Sequence, residues 1–116
     1  MNKARRRVLH KVLGELERLR DPIMDKTTAL SILSDAAKKV EMTMDEEEMC
    51  LDARPENLMW SELTEKMRDC VSDLSDANCD LECALDDCKK MTGFDYLSIQ
   101  KDIGNAVKAI NQAIYR

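Results

Sequence analysis

Apolar residues recur at intervals of seven through the first half of the chain. One set runs Leu9, Leu16, Ile23, Leu30, Ala37, Met44 and Leu51. Its companion set runs Val12, Leu19, Lys26, Leu33, Val40 and Glu47. A repeat of 3.5 residues is typical of a long helix with a coiled-coil-like apolar seam. The pattern therefore predicts helix from the first residues to about residue 53.

The second half repeats the pattern after a short polar break. The two sets are Trp60, Met67, Leu74, Leu81 and Cys88, and Leu63, Cys70, Ala77, Ala84 and Met91. Pro55 disfavours helix at Arg54 and is suited to the start of the next one. We therefore expect helices over 22–53 and 57–92 to form an antiparallel hairpin. Symmetry about Pro55 places Leu51 against Trp60 and Met44 against Met67.

A third helix is predicted over residues 95–115. Gly93 is suited to a left-handed helix cap, and Asp95 is a favourable N-cap. The apolar stripe of this helix consists of Tyr96, Ile99, Ile103, Ala106, Ile110 and Ala113, widened by Val107 and Ile114. The expected fold is all-α: a long antiparallel helical hairpin plus a C-terminal helix, forming a coiled-coil-like three-helix bundle in one domain, 1–116.

Pro22 interrupts the first helix, because proline inside a helix removes a hydrogen bond and clashes with the preceding turn. We expect a kink or a break there, with residues 1–20 as a basic amphipathic arm. Nothing in the predicted hairpin covers the stripe of this arm, which consists of Leu9, Val12, Leu13 and Leu16. A second subunit or a partner protein is expected to cover it.

Composition excludes several function classes. The 116 residues carry a net charge of −5, are 35% charged and 3% aromatic, and include one histidine. We expect no enzymatic activity and no cofactor, because the chain has no Gly-rich loop and few hydroxyl nucleophiles beside a base. No apolar stretch is long enough for a membrane span. Five cysteines do not suggest a disulfide framework, so a cytoplasmic location is expected.

Charge is unevenly distributed. Residues 1–21 contain seven Lys/Arg and three Asp/Glu, whereas residues 41–95 contain seventeen Asp/Glu and five Lys/Arg. This asymmetry suggests two nucleic-acid alternatives. The acids Asp73, Asp76, Asp80 and Asp86 could imitate a phosphate backbone and block a basic groove of a nucleic-acid enzyme. Alternatively, the basic arm could contact phosphates directly.

Two further groups of residues contain side chains that can bind metal or act in catalysis. Cys79 and Cys83 are four residues apart on one helix face, which would suit half a zinc site completed by a second chain. The Cys-x3-Cys spacing within one helix argues against it, and we expect no bound metal. His10 has no orienting carboxylate at a useful spacing, so a catalytic role is not expected.

The region around the predicted turn carries a family resemblance. Residues 45–48 are acidic, Pro55-Glu56-Asn57-Leu58 forms the turn, and Ser61-Glu62 and Glu65-Lys66-Met67 begin the next helix. Over residues 45–88 the chain resembles a group of small uncharacterised acidic helical proteins of anaerobic gut-type bacteria and their phages or mobile elements. The resemblance implies a helical hairpin and a bacterial or phage setting, and no functional residues.

The leading functional hypothesis is a non-enzymatic helical protein–protein interaction module, an adaptor or inhibitor that also self-associates as a homodimer. The residues expected to bind the partner are those of the arm: Arg5, Arg6, Arg7, Leu9, Val12, Leu13 and Leu16.

Overall fold

The computed structural model describes residues 1–58 and 60–116. They form four α-helices: α1 (Lys3–Glu17), α2 (Lys26–Asp52), α3 (Glu62–Lys90) and α4 (Gln100–Ile114). The helices pack into a rod of 54 × 22 × 18 Å. The all-α prediction is confirmed, and within the described ranges there is no strand. The three-helix bundle is not confirmed, because the first 17 residues add a fourth packed helix.

The long helices α2 and α3 form the antiparallel hairpin at the centre of the rod. Leu33, Val40, Leu74 and Leu81 are fully buried between the helices. Both helices begin at a side-chain cap: the Asp25 carboxylate accepts from the Thr28 N–H, and the Ser61 hydroxyl accepts from the Thr64 N–H. Among the described residues, no helix has the length and apolar character needed to cross a membrane.

Pro22 breaks the first predicted helix. After α1, a 3₁₀ turn at Arg18–Arg20 leads to Asp21, whose carboxylate accepts from the Ile23 N–H at 3.0 Å. Helix α2 begins only at Lys26. The chain reverses here, so α1 runs antiparallel to α2. Of the kink and the break expected at Pro22, the structure shows the break, although the spacing of seven holds on both sides.

The expectation that the N-terminal stripe is uncovered is also wrong. Leu9, Val12 and Leu16 are 0%, 1% and 1% exposed, and Leu13 is half-buried against the same core. Because the chain reverses at Pro22, the stripe packs against α2 and α4 of its own chain. Residues 1–20 are therefore part of the body, not a separate arm.

Helix α4 returns along α3 and completes the body. Gly93 does not adopt the predicted left-handed conformation. Instead α3 ends at Lys90, and the Lys26 ammonium donates to the carbonyl oxygens of Lys89, at 3.0 Å, and of Met91. The Asp95 carboxylate caps a 3₁₀ turn at Tyr96–Ser98 before the helix starts. Most of the predicted apolar stripe is buried, including Ile103 and Ile110, whereas Tyr96 and Val107 are half-buried.

Because the α1 stripe is buried, shortening one of its side chains should lower the free energy of unfolding substantially. Leu16→Ala should lower the free energy of unfolding by about 2–5 kcal/mol, because it leaves a cavity in a packed core. Val8→Ala, at a position on the same helix that is 36% exposed, should change it by less than about 0.5 kcal/mol. Urea unfolding followed by circular dichroism measures both, and equal effects would contradict the packing of α1.

Candidate functional site at the hairpin tip

The outer helices stop short of the end of the hairpin. In α1, the Arg5 guanidinium donates to the Glu47 carboxylate of α2 at 2.7 Å. Beyond α4, Arg116 donates to Asp73 of α3 at 2.6 Å. Past these contacts α2 and α3 continue as a two-helix projection. We call residues 45–65, of which Met59 lies outside the description, the hairpin tip.

The Thr64 side chain organises the hairpin tip. It is fully buried, and its hydroxyl donates to the Leu58 carbonyl oxygen at 2.6 Å. The same oxygen accepts from Arg54 Nε at 3.1 Å and lies 2.9 Å from the Ser61 hydroxyl. One donor and two acceptor positions are thereby used, which is the full capacity of a hydroxyl group. Hydrogen bonds therefore join the residues before α3 to Arg54, which follows α2, and to the first turn of α3.

Large apolar side chains are exposed on this tied segment. Trp60 is 84% exposed, Leu63 is 54% exposed and Leu58 is 38% exposed. The Arg68 guanidinium carbon lies 5.4 Å from the centre of the Trp60 ring, in a cation–π contact. Leu63 continues the apolar seam of α3, but no outer helix reaches far enough to cover it. The predicted packing of Trp60 against Leu51 in the seam is wrong, because Trp60 precedes the Ser61 N-cap and lies outside α3.

Acidic residues are concentrated in the hairpin tip. It contains eight Asp/Glu and one Arg. Seven of these acids are exposed: Asp45, Glu46, Glu48, Asp52, Glu56, Glu62 and Glu65. The hairpin tip therefore combines exposed apolar side chains with a strong net negative charge.

The acids at the end of α2 oppose the local electrostatics of the helix. The C-terminal end of a helix carries partial negative charge and favours basic side chains. Helix α3 follows this rule, with Glu62 and Glu65 in its first turn and Lys89 and Lys90 in its last. Helix α2 ends in Asp52 and has no basic residue in its last turn. Its terminal charge therefore weakens the helix that carries it.

Glu47 anchors the base of the hairpin tip. It is fully buried, and its Oε1 atom accepts from Arg5, whereas Oε2 has no partner among the described residues. A buried carboxylate needs such a cation, because removing the cation would leave an uncompensated charge. Arg5 is consequently committed to the fold, while Arg6 and Arg7 remain exposed.

A second surface feature is the groove between α1 and α4, with a volume of about 320 Å³. Its lining includes Leu13, Leu16, Ile103 and Val107, with Gly14 on the α1 side. Arg20, which follows α1 in the chain, also lines the groove. Its Nε donates to the Tyr96 hydroxyl at 3.3 Å. A Cβ atom built at Gly14 would meet nothing within 4 Å, so packing within the chain does not require glycine there. We call this feature the α1–α4 groove.

The predicted acidic face is divided between two sides of α3. Asp76 and Asp80 line a depression beside α4, whereas Asp86 lines one beside α2. Asp73 is buried and paired with Arg116, which leaves it unavailable to a partner. These four acids therefore do not share one exposed face of α3.

The cysteines and the histidine show no assembled site. Cys79 and Cys83 are exposed, and within the described ranges no three His, Cys, Asp or Glu residues are close enough to hold a metal ion. Desolvation, and then the charges of Asp102 and Asp80, raise the pKa of the Cys83 thiol. The metal-binding thiolate form is thereby disfavoured. His10 contacts the Tyr115 ring edge-on, with ring centres 6.5 Å apart.

Removing the terminal charge of α2 should stabilise the protein. Asp52→Asn is expected to raise the free energy of unfolding by about 0.3–1 kcal/mol, because the carboxylate lies at the negative end of the helix dipole. The matched control is Glu65→Gln at the positive end of α3, which should lower it. Urea unfolding at low salt measures both variants. Changes of the same sign would contradict the dipole argument.

Asp80 should make the protein less stable as pH rises. Partial burial, followed by the charges of Asp102 and Asp76, raises the pKa of its carboxyl group. The unfolded state therefore ionises first, and stability is lost as pH increases through the folded-state pKa. At pH 7, Asp80→Asn should therefore be more stable than the wild type.

Thermal unfolding at pH values from about 3 to 7 tests this expectation, since the range spans ordinary Asp ionisation. The Asp80→Asn advantage should vanish at the acid end. Asp86→Asn removes an exposed acid from the other side of α3 and serves as the control. An advantage that stays constant with pH would contradict the electrostatic origin.

Comparison of the chain with protein-family models, curated proteins and solved structures found no match in any of the three. The resemblance over residues 45–88 to acidic helical proteins of gut-type bacteria therefore stays a prediction.

Proposed function

We propose that this protein is a non-enzymatic helical interaction module, an adaptor or inhibitor, that binds another protein through its hairpin tip. The observation that carries the proposal is the exposure of Trp60, at 84%, on a segment held in place by Thr64. The sequence alone places the binding surface on the N-terminal stripe, which is buried. The proposal places it on the hairpin tip instead.

Exposed aromatic residues support binding rather than a structural role. Tryptophan is enriched among the few residues that dominate binding energy at protein interfaces. Here the indole projects beyond the body, and Leu63 and Leu58 are exposed within a few residues of it. An apolar surface with a polar rim is the usual arrangement of a protein interface.

Hydrogen bonds beside the exposed residues support the same proposal. The hydroxyl of Thr64 contacts Leu58, Arg54 and Ser61, so described residues on both sides of Trp60 are joined to one another in the unbound protein. A surface ordered in advance loses less conformational entropy on binding. A flexible loop with the same side chains would bind more weakly.

The two nucleic-acid alternatives have less support. Direct contact of the N-terminal region with phosphates would have to proceed without Arg5, which is paired with Glu47. An acidic decoy would have to act without Asp73, which is paired with Arg116. Both rely on residues that the fold already uses.

The proposal is tested by comparing capture of partner proteins by the wild type and by Trp60→Ser/Leu63→Ser. Both proteins would be tagged and produced in the cells that naturally make the chain, and captured proteins would be quantified by mass spectrometry. The double variant should lose its specific partners by about tenfold or more, as for an interface hot spot.

The control is Met42→Ser, an apolar residue on α2 that is 62% exposed and lies outside the hairpin tip. It should capture the same proteins as the wild type. Circular dichroism should show unchanged helix content in both variants. Identical capture by the double variant and the wild type would overturn the proposal.

A further inference from the structure

The chain carries an apolar projection and an apolar recess with opposite electrostatic surroundings. We propose that a second copy of this chain is a binding partner, with the hairpin tip of one copy inserting Trp60 into the α1–α4 groove of the next. This inference rests on the proposed function and names one partner for the same tip.

The groove is of a suitable size and character for the indole. Its volume of about 320 Å³ lies at the lower end of the range for small-molecule sites, about 300–1,000 Å³. The groove is lined by apolar side chains from both helices, among them Leu13, Ile103 and Val107. Trp60 contacts Arg68 through one ring face but is still 84% exposed, so most of the indole remains to be buried.

The hairpin tip and the N-terminal segment that forms one wall of the groove carry net charges of opposite sign. The hairpin tip contains eight Asp/Glu and one Arg, whereas residues 1–21 contain seven Lys/Arg and three Asp/Glu. Arg20 and Glu17 both line the groove. Four further cations of α1 are exposed: Lys3, Arg6, Arg7 and Lys11. Opposite potentials favour association of tip with groove, while two tips repel each other.

Gly14 lines the groove on the α1 side. Glycine weakens a helix interior because it has the greatest backbone freedom to lose. Nothing within 4 Å would contact a Cβ atom at this position, so the fold gives no reason for glycine. A side chain there would occupy the groove. Glycine at this position thus keeps the recess open.

The contact joins two different surfaces of the chain, so it is heterologous. A two-fold dimer would instead place the same surface on both partners. After one contact forms, each end of the pair still has a free tip or a free groove. Assembly therefore continues into a chain or closes into a ring.

This asymmetry allows a complementation experiment. Trp60→Ala removes the anchor but leaves the groove, and Gly14→Leu fills the groove but leaves the anchor. Sedimentation velocity should show concentration-dependent species larger than a dimer for the wild type. Each variant alone should associate at least about tenfold more weakly. An equimolar mixture should form a dimer and no larger species, because it has one intact tip and one intact groove.

Three controls accompany the mixture. Met42→Ala alters an exposed apolar residue outside both surfaces and should assemble as the wild type does. Gly14→Ala should weaken assembly less than Gly14→Leu, and circular dichroism should show that both fold. Salt raised from about 20 mM to about 500 mM should weaken wild-type assembly, since screening reduces the charge attraction. The emission of Trp60, the single tryptophan, should shift to shorter wavelength on assembly.

Several results would overturn the inference. These are a monomeric wild type at high concentration and low salt, a dimer unaffected by Gly14→Leu, and a mixture that associates no better than its components. If any of these occurs while Trp60 is still needed to capture another protein, the proposed function stands and self-association fails. If Trp60→Ala affects neither assembly nor capture, both fail.

Discussion

The constraint on which this structure depends is the unequal length of its helices. The inner helices α2 and α3 have 27 and 29 residues, and the outer helices α1 and α4 have 15 each. An apolar stripe is buried only where a neighbour reaches it. The body therefore has a four-helix core where all helices overlap, and a two-helix projection where they do not.

The position of α1 along α2 is specified by charged contacts, the shortest between Arg5 and Glu47, as well as by apolar packing. Apolar seams with a spacing of seven tolerate displacement by a heptad, because similar side chains replace one another. A buried carboxylate does not tolerate it, since Glu47 would lose the Arg5 guanidinium. The pair is therefore better understood as a determinant of register than as a large source of stability. Register in turn decides how much of the hairpin stays uncovered.

The sequence predicted the features that depend on periodicity. The seam residues Leu33, Ala77 and Leu81 are fully buried, as a spacing of 3.5 residues indicates. Pro22 was identified as an interruption, but its consequence was not predictable from spacing. A helix that folds back antiparallel at a break keeps the same seven-residue spacing as one that continues.

Other features could not be inferred because they depend on tertiary contacts between distant residues. Glu47 belongs to an acidic run that resembles a solvated helix end, yet Arg5, 42 positions earlier, covers it. Thr64 gives no local signal, because its bonds to Arg54 and Leu58 exist only once the turn has formed. Trp60 was placed in the seam by symmetry about Pro55. Symmetry of sequence positions could not show that α3 begins only after Trp60.

The hairpin tip departs from local physical preferences in two independent ways. Its apolar residues remain in water, although burial would stabilise them. Its acids stand at the negative end of α2, although basic residues would stabilise the helix there. The rest of the chain follows both preferences, as the capped start and lysine-rich end of α3 show. Such departures are expected at functional sites, where stability is lost in exchange for recognition.

The same features would give association a direction. Two hairpin tips cannot approach each other closely, because each carries the same net negative charge. A surface with an apolar recess and cations offers the opposite potential, and the α1 side of this chain has both. Association of the tip of one copy with the groove of the next would give the assembly two different ends. The assembly would grow only while a free tip or a free groove remains. A competing protein that occupied either surface would therefore end assembly at that point, which would make adaptor and self-associating roles mutually exclusive at one tip.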